Sequence, residues 1–539
     1  MARLILTIIL ISLAASLLAE PWGVNVFFNN DRHGSIAPAP ATFMNPETPP
    51  PLGTFPSEVA VLKKQKQLAK TRGEGFMYLD QGDIYQGAPV GSLTKGESTI
   101  IAYNAFPPDV VTVGNHEFDD GLDNLLKLIE MSEFNWLGAN LIDNTTGKIV
   151  EGLEPFIIRE FAMPNGKTLR VGVIGITTRD TKTMSFPENT GGISILDEAE
   201  TATAYAETLR TKHDVDFVIA SCHIGLPFDA AADYESMMET GAQFDEGHYS
   251  GMNLVEMASK VEGIDVIFGG HIHVGYHRPW EDPETHVLVF QNYAKGTGIG
   301  GVKFLFDQDS KVFLGYEPIG LNDALATLFA DEFWPDKDMA VLVDSLQMEA
   351  EKGLAEVIAQ ATGALPRGDA TSNKVGHIVC DAMLDATGAD VSITNMGGVR
   401  AELPGGTITR ADVFAVMPFD NKVVSMPLSG QEVVEVIERM AGKYGSALIG
   451  GVEVVYNSTK GNINSLKIGG APVDSSATYD FATTDYVYYS YGVPQLEAID
   501  KSKVKFSGVL LRDAIERWLT NNSPVSPDVD GRWKFIEEE

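Results

Sequence analysis

The chain has 539 residues, too many for one compact core, so two or more domains are predicted. Its 40 basic against 74 acidic residues leave a net charge of −34, which argues against a nucleic-acid polymer or an anionic membrane face as partner, though not against a small anion drawn to a local positive centre. Cys222 and Cys380, far apart and each in an apolar setting, exclude a disulfide framework and read as buried thiols.

Residues 1–19 read as a signal peptide: Arg3, then an apolar run from Leu4 to Ile11, then small residues. The run is short for a membrane span, so the expected location is secreted or periplasmic, with no stable span after cleavage. Val24–Phe28 reads as a buried strand running into Asp31-Arg32-His33-Gly34. Residues 35–55 are Pro-rich and read as a surface loop. Ser57–Arg72 has helical period. Phe76–Leu79 is strand-like and runs into Asp80-Gln81-Gly82-Asp83. Asp109–Val113 is a third such run. Gly114 breaks it, and Asn115-His116-Glu117-Phe118-Asp119 follow.

Asp120–Ser132 then reads as a helix, Leu169–Ile176 as a strand and Asp197–His213 as an Ala-rich helix. Val215–Ala220 leads into Ser221-Cys222-His223, and Ile264–Phe268 into Gly269-Gly270-His271-Ile272-His273. Residues 227–253, acidic and without clear period, read as an irregular insertion. Val287–Phe290 and Val302–Phe306 read as further strands. Residues 335–352 have helical period and no ligand-type groups, and read as a connector. The remainder, 353–539, is long enough for a second domain.

One histidine after a strand is more often a loop or core residue than a ligand. Five strand ends of the same design are a different matter. Alternate residues of an extended loop point the same way, so Asp31 and His33 can grip one ion, while His271 and His273 would splay towards two neighbouring ions. Asn115 offers a neutral amide oxygen. His116 and Asp119, three apart, share a face if a helical turn starts there, so the carboxylate can hold the imidazole. Mixed N/O ligands suit Zn, Mn, Co or Fe without choosing between them.

These motifs together resemble the calcineurin-like metallophosphoesterases, specifically the secreted 5′-nucleotidases, in order and rough spacing from Val24 to His273. The resemblance implies a mixed α/β protein. A four-layer α/β/β/α catalytic domain would span 20–334, a helical linker 335–352, and a smaller α/β substrate-binding domain 353–539. It implies one divalent ion on Asp31, His33, Asp83 and His273, and a second on Asp83, Asn115, His223 and His271. His116, oriented by Asp119, would stabilise the phosphorus centre or protonate the leaving oxygen.

In the second domain the family's Asn-Gly-Gly-Gly-x-Arg loop has its counterpart in Asn395-Met396-Gly397-Gly398-Val399-Arg400, with Met396 where Gly is usual. Backbone N–H groups of Gly397 and Gly398 and the Arg400 guanidinium would meet phosphate. Arg367 is the nearest candidate for a further basic contact. Phe419, in Met417-Pro418-Phe419-Asp420-Asn421, matches a base-stacking aromatic. The second stacking position falls on Val493, so Tyr491 or Tyr489 would have to replace it. The expected activity is release of phosphate from nucleotides. The alternatives are a 2′,3′-cyclic-nucleotide phosphodiesterase/3′-nucleotidase, a UDP-sugar hydrolase, or a binding ectodomain without turnover.

Overall fold

The computed structural model describes residues 21–45, 48–240, 252–320, 323–444, 447–490 and 492–537. The expected signal peptide and Tyr491 lie outside them. The chain divides into two compact units after Ala350.

The first unit is built on two sheets. One has strand order Phe313–Pro318, Gly298–Phe306, Trp22–Asn29, Gly75–Asp80, Val110–Thr112, Asn135–Leu137, with Leu325–Thr327 paired to Gly298–Phe306. The other runs Trp280–Glu281, Leu288–Gln291, Val266–Gly269, Phe217–His223, Thr168–Thr177, Phe156–Ala162. Trp22–Asn29 and its next three neighbours are parallel, as are Thr168–Thr177, Phe217–His223, Val266–Gly269 and Leu288–Gln291.

Why these strands read as unbroken apolar runs follows from their alternation. Val24, Val26 and Phe28 pack between the sheets against Phe217, Ile219, Val266 and Phe268. Phe27 points the other way, to Leu62 of helix Thr54–Arg72. In the second sheet Val218, Ala220 and Cys222 face outward onto Ala199, Ala202, Ala206 and Leu209 of helix Glu198–Lys212. Both faces of each sheet are covered, which gives the expected α/β/β/α layering. Helix Glu198–Lys212 starts where Asp197 accepts the Glu200 N–H, satisfying one of the orphan donors of its first turn.

One expectation needs correction. Residues 227–253 are not irregular throughout: Ala230–Thr240 is a helix, with Ala230, Tyr234 and Met237 packed against the second sheet's outer core. The described residues of the Pro-rich segment 35–55 lie largely at the surface, as expected, with Ala39–Pro40 paired to Pro51–Leu52 and Ile36 and Ala41 buried. The connector expected over 335–352 is helix Lys337–Ala350, which buries Met339 and Val343 in the first unit's outer core.

The second unit has a five-stranded sheet, ordered Ala447–Gly450, Val391–Asn395, Thr478–Thr484, Lys422–Ser429, Lys505–Leu510. A four-stranded sheet runs Ala471–Pro472, Asn462–Ile468, Val452–Asn457, Trp533–Ile536. Val423 and Val424 face opposite cores, one containing Val375, Val379 and Ile515 of helices Lys374–Thr387 and Leu511–Asn521, the other Val433 and Ile437 of helix Gly430–Tyr444. Among the described residues no helix is long and apolar enough to cross a membrane. Cys222 and Cys380 are buried free thiols, and burial pushes Cys380 up to about 12.

Candidate metal centre

The carboxyl ends of the parallel strands of both sheets deliver the site. Asp31 and His33 follow Trp22–Asn29, Asp83 follows Gly75–Asp80, Asn115 and His116 follow Val110–Thr112, His223 ends Phe217–His223, and His271 and His273 follow Val266–Gly269. This is where open α/β sheets present ligand-binding loops.

The loops are locked to one another. Asp31 N–H donates to Gly82 O (2.9 Å), His33 N–H to Asp83 O (2.8 Å) and Gly34 N–H to Ile84 O (2.9 Å). His116 N–H donates to Asp83 Oδ1 at 2.8 Å. The Asp31 carboxylate accepts the His271 N–H and, at 2.6 Å, the Asn30 amide. Gly114 is required here: a Cβ would lie 2.3 Å from Asp83 Oδ1.

The side chains converge in three groups whose donor atoms lie within 4.8 Å of one another: Asp31, His33 and His273; His33, Asp83 and His116; Asp83, His223 and His271. Asp83 is shared by the second and third. His223 Nε2 is 3.0 Å from both Asp83 Oδ2 and Asn115 Oδ1. Asp31, His33, Asp83, His271 and His273 all have left-handed backbone, with φ of 50°, 51°, 55°, 77° and 63°. For non-glycine residues this costs on the order of 1–3 kcal/mol each and persists only where the surroundings over-determine it.

The donor chemistry fits divalent cations. His33 Nδ1 and His223 Nδ1 each lie 2.6 Å from a backbone carbonyl, of Gln86 and Gln81. With Nδ1–H donated outward, His33 Nε2 presents its lone pair to the centre, which is how ligand imidazoles are held. His223, whose charge burial opposes but Asp83 lifts to about 9, would do the same once a cation displaces its Nε2 proton. His33 Nε2 and His273 Nε2 face each other at 2.8 Å, two ring nitrogens that a shared cation would satisfy together.

Burial, then the neighbouring His273, hold His33 well below its usual value. Burial and the His223 charge push His271 down to about 3, so both rings are neutral donors. Burial opposes ionisation of Asp83, but His223 and His116 outweigh it and hold this carboxyl well below its usual range. Asp31 is pushed up by burial, a carboxylate short of positive charge.

His116 stands apart as the acid–base candidate. Its Nδ1 is 2.6 Å from Asp119 Oδ2, and the pair is about one-quarter exposed. Burial works against its charge, but Asp119 and Asp83 together lift its pKa to about 10.

The second unit gathers the remaining candidates. Asn395 ends strand Val391–Asn395, and Met396–Gly398 form a single 3₁₀ turn. Arg400 Nη1 donates to Gly397 O at 3.0 Å, and its guanidinium lies 5.9 Å from the Phe419 ring centre. Arg367 donates to Val399 O, and its charge, after burial, lowers Arg400. Val493 is buried in the core, so the position where the resemblance expects a stacking aromatic is a packing residue. Tyr489 is stacked on Phe506, ring centres 5.9 Å apart.

Glu117 is a functional residue that motif reading left without a role. Its carboxylate accepts the N–H groups of Gly114 (2.7 Å), Asp83 (2.9 Å) and Ile84 (2.8 Å), stapling two site loops together. Ser185 and Asn189 brace the same region by donating to Asn115 O (3.1 Å) and Asp119 O (2.8 Å). A charged residue inside an otherwise assigned motif was the only sequence signal for Glu117. Ser185 and Asn189 had none.

A family model for calcineurin-like phosphoesterase matches residues 52–275, and one for the 5′-nucleotidase C-terminal domain matches residues 355–494. The first match begins downstream of Asp31 and His33. The chain is 26% identical over 503 residues to Protein UshA of Salmonella pullorum, covering 86% of each chain. It is 26% identical over 497 residues to a 5′-nucleotidase of Vibrio cholerae serotype O1, covering 85% of this chain and 84% of the other. A solved 5′-nucleotidase precursor from Thermus thermophilus shares the fold at TM-score 0.73 and 21% identity, covering 96% of this chain and 100% of that one.

Proposed function

We propose that this chain, a member of the 5′-nucleotidase family built on a calcineurin-like phosphoesterase domain, is an exported hydrolase that releases phosphate from nucleotides. Asp31, His33, Asp83 and His273 would hold one divalent cation, and Asp83, Asn115, His223 and His271 a second. Zn, Mn, Co or Fe held there would supply Lewis-acid polarisation of water and of a phosphoryl oxygen.

The residues of the chain do the rest. The left-handed backbone at five of these donors supports the reading most directly, because such strain is kept where function needs the geometry. His116, charged at neutral pH through Asp119 and Asp83, donates a proton to the leaving oxygen or stabilises charge at phosphorus. Asp119 fixes the ring by taking Nδ1–H, which frees Nε2 for substrate. The first unit is the catalytic domain. The second unit supplies nucleotide recognition: Arg367, Arg400 and the N–H groups of Gly397 and Gly398 suit phosphate, with Asn395 beside them, and Phe419 suits a base.

Elemental analysis combined with a panel of AMP, UDP-glucose, a 2′,3′-cyclic nucleotide and a sugar phosphate tests this. The expected result is bound divalent metal and phosphate release from AMP, abolished by a chelator and restored by metal. Metal-loaded protein that hydrolyses nothing on the panel would overturn the reading in favour of a binding ectodomain.

A further inference from the structure

Between Asp31 and His33 stands a residue that the centre itself does not use. Arg32 is wholly buried, and its side chain runs to helices Thr54–Arg72 and Glu97–Ala105. Nη2 donates to Glu58 Oε2 at 2.7 Å and Nε to Tyr103 Oη at 2.6 Å. The guanidinium lies 4.8 Å from the Phe55 ring centre and 5.4 Å from that of Tyr103. Glu58 also accepts from Tyr78 Oη (2.6 Å) and Asn29 Nδ2 (3.1 Å). Tyr103 Oη in turn donates to Asp80 Oδ2 at 2.7 Å, and Asp80 Oδ1 accepts the Gly82 N–H at 3.0 Å. A continuous run of bonds thus leads from the Asp31–His33 loop, through Arg32 and Tyr103, to the loop that carries Asp83.

A guanidinium cannot shed its charge, and taking it out of water is costly unless every contact is good. Here Arg32 Nη1 has no hydrogen-bond partner among the described residues. Apolar side chains of similar volume would fill this space at less cost. What they would lack is a rigid fork that grips Glu58 with one nitrogen and Tyr103 with another, which Lys also lacks. Asp31, His33 and Asp83 are held in backbone that relaxes unless its surroundings over-determine it.

We propose that Arg32 is a positioning residue. Through Glu58, Tyr103 and Asp80 it fixes the Asp31–His33 loop against the Asp83 loop, and so sets the spacing of the donors that hold the divalent cations. This rests on the metal reading above.

The test compares wild type with Arg32→Lys, Tyr103→Phe and the double variant Arg32→Met/Glu58→Met. Folding is followed by circular dichroism and melting, Zn and Mn content by elemental analysis, and metal affinity by competition titration. Arg32→Lys and Tyr103→Phe are expected to fold and to bind metal about 10–100-fold more weakly, as loss of outer partners does elsewhere. Their kcat falls at limiting metal and recovers at excess metal, with KM unchanged. The double variant removes the buried ion pair together with the acceptor of Tyr78 Oη and Asn29 Nδ2, so it is expected to melt lower and to lose metal affinity. Metal affinity measured well below the melting point of each variant separates positioning from stability.

Any folded variant of the three with wild-type metal stoichiometry and affinity overturns the proposal. If Arg32→Lys does not fold, Tyr103→Phe decides, because it keeps the ion pair and removes only the hydroxyl that joins Arg32 Nε to Asp80. Wild type without bound metal would instead overturn the metal reading, and this inference with it.

Discussion

His116 Nδ1 and Asp119 Oδ2 stand 2.6 Å apart, and Asn189 holds the Asp119 carbonyl from behind. The His116 ring is therefore oriented by Asp119, while its backbone N–H is held by Asp83. Replacing His116 with Ala should lower kcat by about 100-fold or more while leaving metal content intact. Asp119→Asn should lower kcat less and move the alkaline limb of the pH–rate profile to lower pH. The sign follows from the cause: after opposing burial, Asp119 is the largest influence raising His116 to about 10, so removing its charge lets the ring lose its proton earlier. An unchanged alkaline limb would count against His116 as the proton donor.

Glu117 predicts a different phenotype. Three backbone N–H groups converge on its carboxylate. Glu117→Gln places an amide N–H₂ among donors and leaves at least one of them unsatisfied, at a cost of about 1–3 kcal/mol. Denaturant unfolding should show that loss, and metal titration should show weaker binding, because the Asp83 and Asn115 loops lose their common anchor. A variant as stable as wild type would mean water replaces the carboxylate.

The candidate site was legible because it is written in side-chain type at strand ends: apolar runs marked the strands, and His, Asp and Asn after them marked the candidate donors. The backbone that aims those donors was not legible. Left-handed conformation at Asp31, His33, Asp83, His271 and His273 has no glycine to announce it. Arg32 carries no signal of its burial, since nothing local reveals a partner 26 positions away in Glu58. Helix Ala230–Thr240 escapes a reading by period because its acidic residues hide a narrow apolar face of Ala230, Tyr234 and Met237.

In the proposed reading Phe419 recognises the base, and Val493 is its control. Phe419 is half-buried beside Arg400. Phe419→Ala should raise KM for AMP roughly tenfold, as loss of about 1–3 kcal/mol of stacking requires, with kcat little changed. Val493→Phe, which restores the aromatic that the resemblance expects, should not improve KM. Val493 is 2% exposed in the core, so the larger ring overpacks it and destabilises by about 1–3 kcal/mol. Improved KM for that variant would show that the core around 493 opens to substrate.

The last strand predicts an acid transition of its own. Arg532 Nε donates to Asp530 Oδ1 and Oδ2 (2.9 and 3.0 Å), Nη1 and Nη2 to Asp381 (2.9 and 3.1 Å), and Nη1 also to Ile449 O (2.8 Å). These bonds anchor strand Trp533–Ile536, which pairs parallel with Val452–Asn457 and buries Trp533. Burial opposes ionisation of Asp530, but hydrogen bonds from Arg532 and its charge hold the carboxyl at about 2. A folded pKa below the unfolded one means that the unfolded chain binds more protons. The stabilisation is therefore present above about pH 4 and lost as pH falls towards about 2. Asp530 is half exposed, so solvent screens the pair and the effect is small. In urea unfolding across that window, Asp530→Asn should start less stable at neutral pH and lose less stability on acidification than wild type. Identical acid slopes in the two proteins would show that Asp381 alone holds Arg532.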